Sequence, residues 1–519
     1  MTSPSTESER NRLLRRADWR YLLPDPSPRR ALCVSAALAA SCAAVATSVD
    51  DAPQPDVAYD LVVAEDPDDA TLRTLAVCAR PGGVCYVEWR RVVPGGLGRL
   101  RRRLQRAGFR LPRCYHPWPS LAGCRAWVPT ASPARDHYWR GAVRGSRVRR
   151  ERLRDAAGWG LARLGVHGRV AAVALGPAGT AVGAPGTAEP ALARIARQHG
   201  VSLAQADDGA DAGRLLLLTP GSRSVGKVVA LMFNAGGAPV AAVKSARVPA
   251  AAAGLLREAE LLERVEALQP GGVAGVPRVL FRAELRSQPV IGQTALTGTP
   301  LAAVIHRRTY RALAERVTGW LTTLARPGGH GTHEPAWDRL VAPALDRFAA
   351  EYAPVLDDVM LRDTRDLLRS LGPLPVVCEQ RDFSPWNVFD GPSGLVVLDW
   401  ESGELRGLPA LDLVYFFTHA AYYVESAWVS GRFAAAYREA WARDTFLGGV
   451  HRACSTAYLT SLGLDVRVLR PLRLLTWVLH AHSEYLHFRA DAGAPPSAAQ
   501  LRQSTFLALW AEELRGAAE

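Results

Sequence analysis

The stretch Cys378-Glu379-Gln380-Arg381-Asp382-Phe383-Ser384-Pro385-Trp386-Asn387-Val388-Phe389, with Gly394-Leu395-Val396-Val397-Leu398-Asp399-Trp400-Glu401 close behind it, decides how the C-terminal half of this chain is read. The first segment is a polar loop between apolar residues. The second is an apolar run of strand character that stops at Asp399. Asp382 and Asn387 stand five residues apart on the loop, and Asp399 follows twelve residues later at the strand end. Next comes Gly407-Leu408-Pro409-Ala410-Leu411-Asp412, a turn that leads into a helix-like run.

Upstream, residues 214–220 (RLLLLTP) read as a strand and residues 221–227 (GSRSVGK) as a glycine-bearing turn. VVALMFN is a second strand and PVAAVKSAR a third, followed by a helix over AAAGLLREAELLERVEAL. VPRVLFRAEL and QPVIGQTAL complete five strands with one helix after the third. That is the pattern of a protein-kinase-like small lobe, so residues 212–300 are expected to form one and residues 301–519 a large lobe. Lys227 and Lys244 are the only lysines among 63 basic residues. An arginine bias of this kind reflects coding composition, so a lysine kept against it is informative: arginine's wide fork does not replace a compact ammonium at every site. Gly221 to Lys227 also fits the opening of a phosphate-binding P-loop, yet Val228 stands where a hydroxyl should hold the metal. The run after it is apolar and β-branched, a strand and not the helix a P-loop opens.

These motifs resemble the aminoglycoside phosphotransferase and choline kinase group, over about residues 215–440. The resemblance implies ATP and Mg²⁺ as cofactors and a small-molecule hydroxyl as acceptor. It makes Asp382 the base that takes the hydroxyl proton, with Asn387 and Asp399 as metal ligands. Lys244 would hold the ATP phosphates, oriented by Glu258, with Gly221, Ser222, Gly226 and Lys227 covering them. Gln293, Thr294, Ala295 and Leu296 would form the hinge that meets adenine. Asp412 would brace the catalytic loop. The chain departs from the group in having Gln380 where a histidine is usual and Arg381 where a glycine is usual. Two outcomes therefore stay open, a working kinase and a pseudokinase that binds nucleotide without turnover. His419, Tyr422, Tyr423 and Glu425 read equally as pocket lining and as core.

Residues 1–165 alternate strand and helix signals, which implies βαβ units and a parallel, Rossmann-like α/β sheet. Asp60, Pro81-Gly82-Gly83 and Ala107-Gly108-Phe109 resemble the tail of class I S-adenosylmethionine-dependent methyltransferases over roughly residues 30–130. The glycine-rich first turn of that family is replaced by Ala36-Ala37-Leu38-Ala39-Ala40. A degenerate methyltransferase-like module is therefore expected, with a working methyltransferase as the alternative. Residues 166–211, rich in glycine, alanine and proline, read as a linker with one short helix.

The 519 residues suit two or three domains. A formal charge of +13 invites a nucleic-acid reading. Between Arg91 and Arg154, however, 17 arginines face only Asp136 and Glu151. The basicity belongs to that one stretch, a candidate surface for an anionic partner, and no nucleic-acid motif accompanies it. The apolar run 31–49 is mostly alanine, serine and cysteine, too weak for a membrane span. The expected location is cytoplasmic. Eight cysteines without a C-x-x-C pair read as buried, reduced thiols.

Overall fold

The computed structural model describes residues 7–92, 96–131, 133–145, 149–166, 168–177, 189–203, 214–219, 226–269, 272–325, 333–492 and 494–516. The chain packs as two units, residues 1–257 with 279–296, and residues 258–278 with 297–519.

The first unit is built on β1 (Arg30–Cys33), β2 (Ser48–Asp50), β3 (Tyr59–Glu65), β4 (Ala79–Trp89), β5 (Arg110–Trp118), β6 (Ala126–Pro129), β7 (Val170–Leu175), β8 (Leu215–Leu218), β9 (Lys227–Phe233), β10 (Pro239–Ala246), β11 (Val279–Leu285) and β12 (Gln288–Thr294). All twelve lie in one sheet, ordered β11-β12-β10-β9-β8-β6-β5-β7-β4-β3-β1-β2. The strands β2, β1, β3 and β4 are parallel neighbours. Helix α1 (Glu7–Arg16) precedes them. Helices α2 (Ala36–Ala43), α3 (Asp69–Cys78) and α4 (Gly96–Arg106) make the crossovers.

Leu38 and Cys42 of α2 join one core, whereas Leu72, Leu75, Leu100 and Leu104 of α3 and α4 join another. The crossovers therefore change sides of the sheet between β1 and β3, as in doubly wound folds. Asp68 caps α3, its carboxylate accepting from the Thr71 N–H at 2.7 Å.

The remaining strands pair antiparallel. The last five run β11-β12-β10-β9-β8 and carry the helix Ala252–Leu268 after the third strand, β10. This strand order and the helix after the third strand match the pattern expected for residues 212–300, and the sheet continues toward the parallel strands through the β8–β6 pair. One core runs under both parts, from Cys33 and Tyr86 to Leu217, Val243 and Val290.

The stretch read as a linker carries β7, which lies between β4 and β5, and a helix, Ala191–Gln198, whose Leu192 and Ile195 enter the same core. Strands from residues 1–165 and from residues 212–300 lie in the same sheet. The turn expected at Pro81-Gly82-Gly83 is absorbed into β4, with Gly82 at φ +75° and a register shift at Tyr59/Leu61 on the partner strand. The apolar run 31–49 is largely β1, α2 and β2. Among the described residues no helix is long and apolar enough to cross a membrane. All eight cysteines are free thiols, six of them buried.

The second unit is mainly helical. Its long helices include Tyr310–Ala325, Leu411–Val424, Phe446–Ser461 and Leu469–Ala492. A short antiparallel hairpin, Val388–Gly391 with Gly394–Val397, sits among them, and a further pair joins Val377–Glu379 to Glu404–Gly407.

Candidate active site

The hairpin brings the site together. Asn387 immediately precedes its first strand and Leu398-Asp399 follow its second, so pairing of Val388 with Val397 makes the two ends neighbours. The Leu398 N–H donates to the Asn387 carbonyl at 3.0 Å. Before Asn387 the chain turns tightly, with the Ser384 N–H donating to Asp382 O and the Asn387 N–H to Ser384 O. That turn returns Asn387 to Asp382. Its amide Nδ2 donates to the Asp382 carboxylate at 2.7 Å and to the Asp382 carbonyl at 3.0 Å. With both bonds made by nitrogen, the Asn387 Oδ1 is left as an acceptor.

Gln380, where the resemblance noted above leads one to expect histidine, is fully buried. Its Oε1 accepts from the Asp382 N–H at 2.9 Å. Its Nε2 donates to the carbonyls of Leu398 at 3.2 Å and Asp399 at 2.6 Å. One side chain therefore ties the Asp382 loop to the strand end that carries Asp399. Asp412, in the first turn of the helix Leu411–Val424, accepts from the N–H groups of Gln380 at 2.6 Å and Arg381 at 2.8 Å. Arg381 has φ +63°, which explains why glycine suits this position. Asp399 at +65° and Ala410 at +67° are also left-handed, so unfavourable backbone collects around the site. The Arg381 Nε donates to Glu379 at 2.9 Å. Gly407 makes room for that carboxylate, because a Cβ there would lie 2.1 Å from Glu379 Oε2.

The electrostatics follow from burial. Desolvation pushes the Asp382 carboxyl up to about 7; the Asp399 charge adds to the rise, and the hydrogen bonds from Asn387 and Tyr415 oppose it. Burial raises Glu379 to about 7, offset by Arg381. Asp412 is raised to about 6 against its two backbone donors. A carboxyl that titrates near neutrality accepts a proton more readily than an ordinary aspartate does.

Of the other candidates, Glu258 is buried on the helix Ala252–Leu268 and accepts from the Trp400 N–H at 3.3 Å, next to Asp399. Lys244 lies on β10, also buried, in register with Val229 and Ile291. Lys227 starts β9 opposite Ala246, and Gly226 precedes it, its carbonyl accepting from the Arg247 N–H. The residues after Lys227 form a strand, as the rejection of a P-loop requires. Gly221 and Ser222 lie outside the described residues. Gln293 and Thr294 end β12, with Ala295 and Leu296 following; the Ala295 N–H donates to Val240 O at 3.4 Å.

Sequence reasoning missed Tyr415, whose hydroxyl bonds Asp382. Its signal was its position three residues after Asp412, on the same helix.

The Gln380 bridge carries a testable energy. Gln380→Ala leaves one buried N–H and two carbonyls without this partner, so a loss of about 1–3 kcal/mol is expected in urea denaturation. Gln380→His, which keeps a donor and an acceptor, is expected to lose less. Equal midpoints for the alanine variant and the wild type would remove the bridge.

No protein-family model matches the sequence, and no curated protein matches it. Among solved structures, the chain is similar to a choline/ethanolamine kinase family protein from Mesorhizobium loti, with a TM-score of 0.38 and 13% identity over 62% of this chain and 98% of that one. It is also similar to an aminoglycoside phosphotransferase from Streptomyces rimosus solved with ADP and streptomycin, with a TM-score of 0.32 and 17% identity over 53% and 93% of the two chains. A third similarity is to an aminoglycoside-3'-phosphotransferase of type VIII, with a TM-score of 0.31 and 21% identity over 50% and 92%.

Proposed function

We propose that the chain is an ATP- and Mg²⁺-dependent phosphotransferase acting on a hydroxyl of a small polar molecule. The observation that carries this reading is the Asp382 carboxylate, held at 2.7 Å by Asn387 and tied through Gln380 to the strand end bearing Asp399. A general base and two oxygen ligands brought together in this way are the parts that phosphoryl transfer needs.

In the reaction, the acceptor oxygen bonds to the γ-phosphorus while the bond from phosphorus to the β,γ-bridging oxygen breaks. ADP leaves, and the hydroxyl proton passes to Asp382. The metal, when bound, neutralises charge on the phosphates. The donor set fits magnesium: Asn387 Oδ1 and Asp399 supply one neutral and one charged oxygen, and this ion takes few protein ligands beside phosphates and water. Among the described residues no cluster of three His, Cys, Asp or Glu offers a fuller cage. Lys244 would hold the α/β-phosphates, and Gln293 to Leu296 would meet adenine.

The parallel strands, with β7 reversed between β4 and β5, support reading the N-terminal part as a methyltransferase-type module turned to a structural use. In that part Asp50, at the end of β2, accepts from the Tyr59 hydroxyl at 2.8 Å.

The test is a phosphoryl-transfer screen with labelled ATP and Mg²⁺ over sugars, aminoglycosides and amino alcohols. Transfer to one class, abolished by chelating the metal, is the expected result. ATP binding with no transfer to any acceptor would overturn the kinase reading in favour of a nucleotide-binding scaffold.

A further inference from the structure

The helix Leu411–Val424 places Tyr415, His419 and Tyr422 at i, i+4 and i+7, on one face. Tyr415 reaches the base Asp382. From it an aromatic series leads outward. Tyr415 and His419 have ring centroids 4.2 Å apart, His419 and Trp386 5.1 Å, and Trp386 and Trp428 6.3 Å. Trp386 belongs to the tight turn between Asp382 and Asn387, so it is tied by backbone to the reacting groups.

The rings meet nearly at right angles, 89° between Trp386 and His419 and 77° between Trp386 and Trp428. Tyr422 and Phe433 back Trp428 at 87° and 78°. The two tryptophans are nevertheless exposed, Trp386 by 36% and Trp428 by 49%, with Val429 beside them at 86%. Large apolar side chains left this open beside a catalytic loop mark a ligand surface more often than a packing defect.

The charges narrow the ligand. His419 is buried, its Nδ1–H donates to Tyr415 O at 3.0 Å, and burial lowers its pKa to about 4, so it is neutral. Glu425, at the end of the same helix, is engaged by Arg307 at 3.2 Å. That carboxylate is therefore already paired with a cation. The Tyr422 hydroxyl behind Trp428 is buried and has no hydrogen-bond partner among the described residues.

We propose that the corner formed by Trp386 and Trp428 seats a flat, uncharged aromatic ring of the acceptor, next to the hydroxyl presented to Asp382. This rests on the phosphotransferase reading and narrows it to aryl-bearing alcohols. Perpendicular indoles offer one face for stacking and a second ring against the ligand's edge, the arrangement aromatic pairs prefer.

The experiment uses the full chain and saturation-transfer NMR with benzyl alcohol, cyclohexylmethanol, choline and kanamycin. Benzyl alcohol is expected to bind best. Its signal should fall at least about fivefold in Trp386→Ala and Trp428→Ala and be largely kept in Trp386→Phe, with thermal melting confirming that each variant folds. No benzyl alcohol signal, a signal indifferent to both alanine variants, or stronger binding of choline or kanamycin that depends on the two tryptophans overturns the inference. Turnover separates the two ideas. Ring binding through the tryptophans with no phosphorylation of any acceptor sinks the kinase reading alone. Transfer to a sugar or amino alcohol with no gain from an added aryl group sinks this inference alone.

Discussion

Asp382→Asn lowers phosphoryl transfer by about 10²–10⁴-fold, the range general-base groups contribute, and leaves ATP affinity nearly unchanged. The amide occupies the same volume and can still face Asn387 Nδ2 through its oxygen, so the loop has no reason to move. What it loses is the ability to take a proton. Stability is expected to hold or rise, because burial disfavours the ionised carboxyl that the substitution removes. Single-turnover transfer measured beside thermal melting checks both halves. A loss below tenfold would take the base role from Asp382, and a large fall in melting temperature would make the residue structural.

That separation of catalysis from stability rests on a site much of which is legible in the sequence. Asp382, Asn387, Asp399 and Asp412 lie within about thirty residues and are picked out by the motifs of the resembled group, and the hairpin that makes Asn387 and Asp399 neighbours is local. The strands β8 to β12 are likewise legible, since each is an apolar run bounded by turn residues. What sequence did not reveal is what depends on distant partners. β7, VAAVAL, is short, diluted with alanine and set in glycine- and proline-rich flanks; only its pairing with β4 and β5 makes it a central strand. The continuity of the sheet through β8 and β6 joins segments some ninety residues apart and has no local signature. Trp386 and Trp428 each read as one aromatic among many. Their corner exists because the helix Leu411–Val424 carries His419 and Tyr422 between them.

The N-terminal segment is the strongest case of long-range dependence, and it supports the second large expectation. Asp18 and Arg247 are 229 residues apart in sequence, yet the Arg247 Nε donates to both Asp18 oxygens at 2.9 and 3.2 Å. Their side chains are 2% and 0% exposed. Around them the Arg20 guanidinium donates to Arg247 O at 2.9 Å, and the Tyr21 hydroxyl donates to Ala246 O at 2.9 Å. The segment after α1 thus clamps the end of β10, three residues beyond Lys244, and the Arg247 N–H in turn holds Gly226 O at 2.9 Å. Burial raises the Asp18 pKa, and the Arg247 and Arg20 charges oppose that rise.

Asp18→Ala leaves the Arg247 charge buried without this counter-ion, and a loss of about 3–5 kcal/mol is expected in urea denaturation. Because the same clamp fixes the strand of Lys244, the variant should also weaken ATP binding under conditions where it remains folded. The double variant Asp18→Ala with Arg247→Met is the discriminating control. Replacing both charges by apolar groups removes the desolvation cost along with the attraction, so most of the lost stability should return. A loss below about 1 kcal/mol in the single variant would show the pair to be incidental. A double variant no more stable than the single would mean that Arg247 serves the strand through contacts other than Asp18.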